Sequence, residues 1–164
     1  MGSGKSTVGR LLASALHYAW VDVDRLIEER SGSDIPDIFI KKGEAVFREL
    51  ETTAIRAVAN IRQVVVSTGG GAPLKTENWS TMKSTGVIIY LKVPAAQLAA
   101  RLEKQNDDRP LINGKRGKEL EDFVYEHLKE REKVYFGADI TVDWDMCEPD
   151  GIEKLVSTIR NYSR

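Results

Sequence analysis

The sequence has 164 residues, 24 Lys and Arg, 25 Asp and Glu, and a net charge of -1 at pH 7. This length predicts one domain, residues 1–164, with a buried hydrophobic core. The near-neutral charge argues against nucleic-acid binding that relies on overall positive charge, and no apolar run reaches the ~18–20 residues of a membrane span. The single cysteine, Cys147, excludes an internal disulfide and a cysteine-rich metal site. With no apolar signal-peptide core at the N-terminus, we expect a cytoplasmic protein with no membrane or nucleic-acid partner.

Predicted helices and strands alternate along the first part of the chain. Apolar residues at 3–4 spacing predict the helices, and short apolar or β-branched runs predict the strands. The predicted elements are a helix over 6–17, a strand over 18–22, a helix over 24–30 that stops near Gly32, a helix from Asp34, a longer helix from Glu44 to about Asn60, and a strand over 64–67.

The same alternation continues to the C-terminus. The predicted elements are a strand over 87–93, a helix over 95–104, a helix over 119–136, a strand over 140–143 and a helix over 151–162. Between them, residues 105–117 are polar and contain Pro and Gly, which predicts a mobile lid. Strands separated by helices predict an α/β fold of three layers, with a parallel sheet between two layers of helices.

The most specific local signal is Gly2-Ser3-Gly4-Lys5-Ser6-Thr7 at the start of the first predicted helix. Backbone N–H groups of such a P-loop, together with the helix N-terminus, bind phosphate oxygens. Lys5 would reach the β- and γ-phosphates, and the Ser6 hydroxyl would bind Mg²⁺. The alternative is a Gly/Ser tag remnant, but Lys5-Ser6-Thr7 leads directly into an amphipathic helix.

The full phosphate-loop pattern has another glycine, preceded by a strand, and both would lie ahead of Met1. In doubly wound folds this strand is central to the sheet. We therefore expect the first central strand to be missing here, with two ladders left unpaired. A late start of the chain and an impaired form of the protein both remain open.

Two groups of residues follow predicted strands, where open α/β sheets bind their ligands. Asp22 and Asp24 form a D-x-D pair, and strand alternation predicts that both carboxylates point the same way. One would hold Mg²⁺, and the other would accept a proton or hydrogen bond from a substrate hydroxyl; the alternative for Asp24 is a helix cap. Gly69-Gly70-Gly71 would let a substrate approach backbone N–H groups closely, the alternative being a flexible turn.

Four arginines stand in distinctive sequence contexts. An arginine can bind a carboxylate or phosphate through two parallel hydrogen bonds, although a single one is often only a solvated surface charge. The four are Arg48, Arg101, Arg109 and Arg131.

The ordered set of motifs resembles the shikimate kinase family over nearly the whole chain. After the P-loop come D-V-D at 22–24, G-E-A-V-F-R-E-L-E at 43–51, S-T-G-G-G-A at 67–72, N-W at 78–79, R-P-L at 109–111 and R-E-K-V-Y at 131–135. The resemblance implies a P-loop kinase that transfers the ATP γ-phosphoryl group to the 3-hydroxyl of shikimate, in aromatic amino-acid biosynthesis.

The resemblance also implies roles for single residues. Lys5 and Ser6 would bind ATP and Mg²⁺, and Asp22 would be the carboxylate near Mg²⁺. Asp24 would bind the shikimate hydroxyl and act as the base. Arg48 and Arg131 would bind the shikimate carboxylate, and the Gly70 and Gly71 N–H groups its hydroxyls. Arg109 on the lid would reach the transferring phosphoryl group, and Arg101 would lie against adenine. The expected partners are ATP and shikimate, with Mg²⁺ as cofactor and a monomeric chain.

Two other functions remain as alternatives. Gluconate kinases share the phosphate loop and fold class, but we expect them to lack the G-G-G and F-R-E-L-E motifs. A non-catalytic binding protein of the same family is favoured by the missing strand and opposed by the intact downstream motifs. ATP turnover with and without shikimate separates these possibilities.

Overall fold

The computed structural model describes residues 2–104, 114–144 and 150–162. Within these ranges the chain alternates helices and short strands, as the sequence predicts. In chain order the elements are α1 (Lys5–Leu16), β1 (Ala19–Asp22), α2 (Val23–Ser31), α3 (Ile35–Val58), β2 (Val64–Ser67), a 3₁₀ turn (Ala72–Leu74), α4 (Thr76–Thr85), β3 (Ile89–Lys92), α5 (Ala95–Lys104), α6 (Gly117–Tyr135), β4 (Ile140–Asp143) and α7 (Gly151–Asn161).

Most predicted boundaries are confirmed to within two residues. The two helices predicted on either side of Gly43 are confirmed as well, because Gly43 has non-helical φ 82° and ψ 167° and forms a kink between the two helical segments of α3. A positive φ is accessible to glycine without steric cost, so the second segment can begin here in a new direction.

Helix α4 is absent from the sequence prediction. Its sequence, TENWSTMKST, has no apolar stripe, and the one residue it buries completely is polar Asn78. Contacts with α3 and the 3₁₀ turn hold this helix in place. Tertiary packing therefore stabilises a segment whose own pattern does not predict a helix.

The strands of the described residues form two separate parallel pairs. β1 pairs with β2 from Ala19↔Val64 to Asp22↔Ser67, and β3 pairs with β4 from Ile89↔Ile140 to Lys92↔Asp143. This is the interruption of the sheet expected from the sequence. β2 and β3 each have a single strand partner within the described ranges.

Two apolar clusters place helices on both faces of the strands. Adjacent residues of a strand point to opposite faces. Val65 of β2 packs into one cluster, whose other members come from α1, α5, α6, α7 and the pair of β3 and β4. Val66 packs into the other cluster, which is formed mainly by α2 and α3. Val65 shares its cluster with Ile89 and Leu91 of β3, so side chains join the two strand pairs into a three-layer arrangement.

No helix in residues 2–104, 114–144 and 150–162 is long and apolar enough to cross a membrane.

Asp139 links three elements at the base of β4. Its carboxylate accepts hydrogen bonds from Lys83 Nζ at 2.8 Å, from the Ile88 backbone N–H at 2.8 Å and from the Tyr162 hydroxyl at 3.2 Å. Burial opposes its ionisation, but these three donors outweigh burial and hold the pKa of Asp139 below its ordinary value. The ionised carboxylate therefore stabilises the folded state.

We expect Asp139→Asn to lower the free energy of unfolding at pH 7 by about 1–3 kcal/mol, because donors to a charged acceptor lose their partner. Since the folded pKa is depressed, this contribution is present above the unfolded pKa of about 3.9 and is lost as pH falls through the folded pKa. Denaturant unfolding from pH 7 down to pH 3 should show the difference between variant and wild type narrowing.

Asp143→Asn, at the far end of β4, is the matched control. The Asp143 side chain is 90% exposed and lies 3.5 Å from Lys92, so little change is expected. An Asp139→Asn variant that unfolds at the wild-type denaturant concentration at pH 7 would contradict this role.

Candidate active site

The phosphate loop has the backbone needed to surround an anion. Gly2 and Gly4 have φ of 69° and 79°, and Gly4 caps α1 without a side-chain hydrogen bond. The first-turn N–H groups of α1 are therefore not occupied by a capping side chain and can meet phosphate oxygens. Lys5 Nζ lies 3.3 Å from the Ser3 hydroxyl oxygen, on the same loop, and Thr7 lies exposed in the first turn.

Ser6 and Asp22 meet at the end of β1. The Ser6 hydroxyl donates to Asp22 Oδ2 at 2.5 Å, while Asp22 Oδ1 accepts from the backbone N–H of Asp24 at 3.1 Å. A hydroxyl and a carboxylate are hard oxygen donors of the kind Mg²⁺ prefers. In the described ranges no cluster of three or more His, Cys, Asp or Glu offers a separate metal site.

The two aspartates do not lie on one strand, although the sequence prediction assumed this. β1 ends at Asp22, and Asp24 lies in the first turn of α2, so strand alternation does not relate them. The helix cap considered for Asp24 is supplied by Asp22 instead. Asp24 nevertheless faces the glycine turn: a Cβ placed on Gly69 would lie 3.3 Å from Asp24 Oδ1.

Two of the three glycines after β2, Gly69 and Gly71, leave room for charged side chains to pack close to the backbone. A Cβ on Gly69 would lie 3.1 Å from Glu51 Oε1, and one on Gly71 would lie 2.6 Å from Arg48 Nη1. Larger residues at these positions would displace the guanidinium or the carboxylates. The glycine turn is thus a site of close packing.

Arg48 is held by two carboxylates of α3. It donates to Glu44 Oε1 at 2.9 Å and to Glu51 Oε2 at 3.1 Å. Burial works against the charge of Arg48, but the two glutamates raise its pKa above the ordinary value. Glu51 is 1% exposed, and burial raises its pKa although the Arg48 charge opposes this.

Glu51 and Asn78 are site-supporting residues that the sequence prediction missed. Asn78 is fully buried and donates from Nδ2 to the Ala72 carbonyl at 3.1 Å, which fixes the turn after the glycines. The i, i+3 spacing of Arg48 and Glu51 on one helix could have predicted the contact between these two residues. The Asn78 contact depends on α4, which the sequence pattern does not reveal.

Arg131 of α6 lines a cavity that extends from the phosphate loop to the glycine turn. The cavity has a volume of about 120 Å³; its polar lining includes Ser3, Lys5 and Arg131, and much of the rest is apolar, with Leu91, Leu98 and Val124 among the lining residues. Asp24 and Arg48 are not among its lining residues. One turn after Arg131, the Tyr135 hydroxyl donates to the Gly70 carbonyl at 2.5 Å. Burial raises the pKa of Tyr135, and Arg131 works in the opposite direction. The cavity therefore joins the phosphate-loop lysine to the glycine turn.

Of the other two predicted arginines, the structure describes only Arg101. Arg101 on α5 lies against the phosphate loop, with Nη1 3.5 Å from the Gly2 carbonyl. Arg109 lies outside the described residues, as does most of the predicted lid at 105–117.

Comparisons with known proteins identify the family. The shikimate kinase family model matches residues 1–160. A shikimate kinase from Chlorobium luteolum is 41% identical, over 99% of this chain and 80% of the relative. One from Sulfurihydrogenibium sp. is 42% identical, over 98% of this chain and 93% of the relative.

Solved structures give the same result and confirm the predicted P-loop fold. The shikimate kinase of Bacteroides thetaiotaomicron matches with a TM-score of 0.87 and 36% identity, over 98% of this chain and 92% of that one. The enzyme of Acinetobacter baumannii, solved in complex with shikimate, matches with a TM-score of 0.84 and 32% identity, over 98% and 86% of the two chains.

The contact between Gly71 and Arg48 can be tested through stability. Gly71 has φ -84° and ψ -24°, a backbone conformation that alanine adopts without strain. We expect Gly71→Ala to cost about 1–3 kcal/mol of unfolding free energy, because the guanidinium must shift and its hydrogen bonds to Glu44 and to the buried Glu51 are weakened. Denaturant unfolding should show this cost largely removed when Arg48→Ala is also present.

Gly86→Ala is the matched control. Its backbone is extended, and its Cβ would lie no closer than 3.9 Å to a neighbouring atom, so the expected change is small. Equal costs of Gly71→Ala with and without the Arg48 side chain would refute the proposed overlap.

Proposed function

The chain belongs to the shikimate kinase family, and we propose that its reaction takes place between the phosphate loop and the glycine turn. The reaction is transfer of the γ-phosphoryl group of ATP to the 3-hydroxyl of shikimate, in aromatic amino-acid biosynthesis. The observation that carries the assignment is that Lys5 and Arg131 line one cavity with Gly69 and Gly70. Phosphoryl transfer requires positioning and charge neutralisation more than covalent help, and Lys5 and Arg131 supply positive charge at this cavity.

The ATP side of the proposal rests on the start of α1. The backbone of Gly2–Thr7 would surround the phosphates, with Lys5 neutralising the β- and γ-phosphates. Ser6 and Asp22 would hold Mg²⁺, since their oxygens already meet. When bound, Mg²⁺ neutralises phosphate charge and favours an in-line arrangement. Arg101, whose Nη1 lies 3.5 Å from the Gly2 carbonyl, would hold the loop and lie beside the adenine.

The shikimate side rests on the residues around the glycine turn. Arg48 and Arg131 would bind the substrate carboxylate, because guanidinium groups match carboxylates through paired hydrogen bonds. Arg48 uses three of its five N–H groups on Glu44 and Glu51. The remaining two can reach a ligand.

The reacting hydroxyl would lie beside Asp24. The glycine-turn N–H groups would hold the substrate hydroxyls, so that the 3-hydroxyl faces the Asp24 carboxylate on one side and the phosphate loop on the other. Asp24 would accept the proton as the phosphoryl group arrives. The A. baumannii relative solved with shikimate supports the same substrate here.

Further assignments in this proposal rest on sequence alone. Arg109, outside the described residues, would neutralise the transferring phosphoryl group, as the family resemblance implies. We also propose a single-domain, monomeric enzyme in the cytoplasm, where ATP is supplied. The single cysteine of the sequence is compatible with a reducing compartment.

The role of Asp24 is tested by Asp24→Asn. We expect kcat to fall by roughly 10²–10⁴-fold, because a positioned general base is lost. ATP affinity should stay close to wild type, since the variant leaves the phosphate loop intact. A coupled assay of ADP formation measures kcat, and calorimetric titration measures ATP binding.

Asp37→Asn is the control, an exposed carboxylate in the first turn of α3 whose loss should leave kcat unchanged. Near-normal turnover by Asp24→Asn would contradict the role of Asp24 as general base. Preferential phosphorylation of gluconate over shikimate by the wild-type chain would contradict the proposed site itself.

A further inference from the structure

The buried hydroxyl of Ser67 connects the end of β2 to the first turn of α1. Ser67 Oγ donates to the Lys5 carbonyl at 3.1 Å and accepts from the Trp20 indole Nε1–H at 3.0 Å. Ser67 is 6% exposed. A single side chain thus connects the phosphate loop, β1 and β2.

Gly9 makes this approach possible. A Cβ on Gly9 would overlap Ser67 Oγ and lie 2.9 Å from Trp20 Nε1. The helix backbone therefore rests directly on the hydrogen-bonded pair of Trp20 and Ser67. A small displacement of that pair would therefore also displace α1 and the phosphate loop at its N-terminus.

Trp20 determines the direction of the Ser67 hydroxyl. A serine hydroxyl carries one hydrogen and rotates freely unless a neighbour fixes it. The indole N–H is a donor only, so it takes an acceptor lone pair and leaves the Ser67 hydrogen for the Lys5 carbonyl. Without the indole N–H, the hydroxyl would be free to turn away.

We propose that Ser67, oriented by Trp20, is a positioning residue for ATP binding: it fixes the carbonyl of Lys5 and so the placement of the phosphate loop. The inference deepens the proposed function and rests on that loop binding ATP. Ser67 is also close in sequence to the glycine turn. The same hydrogen bond therefore fixes the position of the phosphate loop relative to the glycine turn, where shikimate would bind.

Trp20→Phe is the most selective test, because it removes the indole N–H and keeps an aromatic ring. We expect the Kd for ATP to rise about 3- to 10-fold, the equivalent of one neutral hydrogen bond. The Kd for shikimate should stay within about twofold of wild type. Calorimetric titration of each ligand separates the two effects.

Trp144→Phe is the matched control. Trp144 is buried, at 6% exposure, whereas Trp20 is partly buried, and the Trp144 Nε1 has no hydrogen-bond partner among the described residues. It should leave ATP affinity unchanged. Ser67→Ala should weaken ATP binding at least as much as Trp20→Phe, and adding Trp20→Phe to Ser67→Ala should add little further loss.

Wild-type ATP affinity in folded Trp20→Phe and Ser67→Ala variants would overturn the proposal. So would an equal loss in Trp144→Phe, or additive losses in the double variant. These outcomes differ from failure of the proposed function, in which the wild-type chain would bind ATP normally without phosphorylating shikimate.

Discussion

Two hydrogen bonds from neighbouring strand ends hold the start of α1, and the rest of the candidate site depends on them. Asp22 and Ser67 are paired in the parallel register of β1 and β2. Asp22 accepts from the Ser6 side chain, and Ser67 donates to the Lys5 carbonyl. The register of a two-stranded ladder thus sets the position of the phosphate loop. Because parallel strands end at the same edge, Asp24 and the glycine turn emerge beside that loop.

The acceptor side depends on a different constraint, the close packing of charges against glycine. Glu51 is nearly fully buried and would be costly as an isolated carboxylate. The Arg48 charge compensates for this burial, and the absence of side chains at Gly69 and Gly71 leaves room for both groups. An arginine held in this way loses little side-chain entropy on meeting a substrate carboxylate. Substrate recognition is therefore prepared by contacts within the protein.

The sequence predicts the elements with strong patterns and misses those that tertiary contacts create. The bounds Val64–Ser67, Ala95–Lys104 and Ile140–Asp143 are confirmed because β-branched runs and a capped apolar stripe are local signals. α4 is missed because its residues gain stability from α3 and the 3₁₀ turn.

Site residues follow the same division between local and tertiary signals. The phosphate loop and the glycine turn are contiguous motifs, and the structure brings them to one cavity. The strand alternation assumed up to Asp24 was wrong because a helix begins at Val23. The contacts of Ser67 with Lys5 and Trp20 span residues far apart in sequence, so no local pattern reveals them. The structure of the Arg109 segment lies outside the described residues, and its role stays a prediction.

A crystal structure of this chain with ADP and shikimate bound tests the central claim most directly. The account predicts the shikimate carboxylate between Arg48 and Arg131, one ring hydroxyl within hydrogen-bond distance of Asp24, and the ADP β-phosphate at the N–H groups of the first turn of α1. Shikimate bound away from the glycine turn, or ADP phosphates bound away from Lys5, would contradict it.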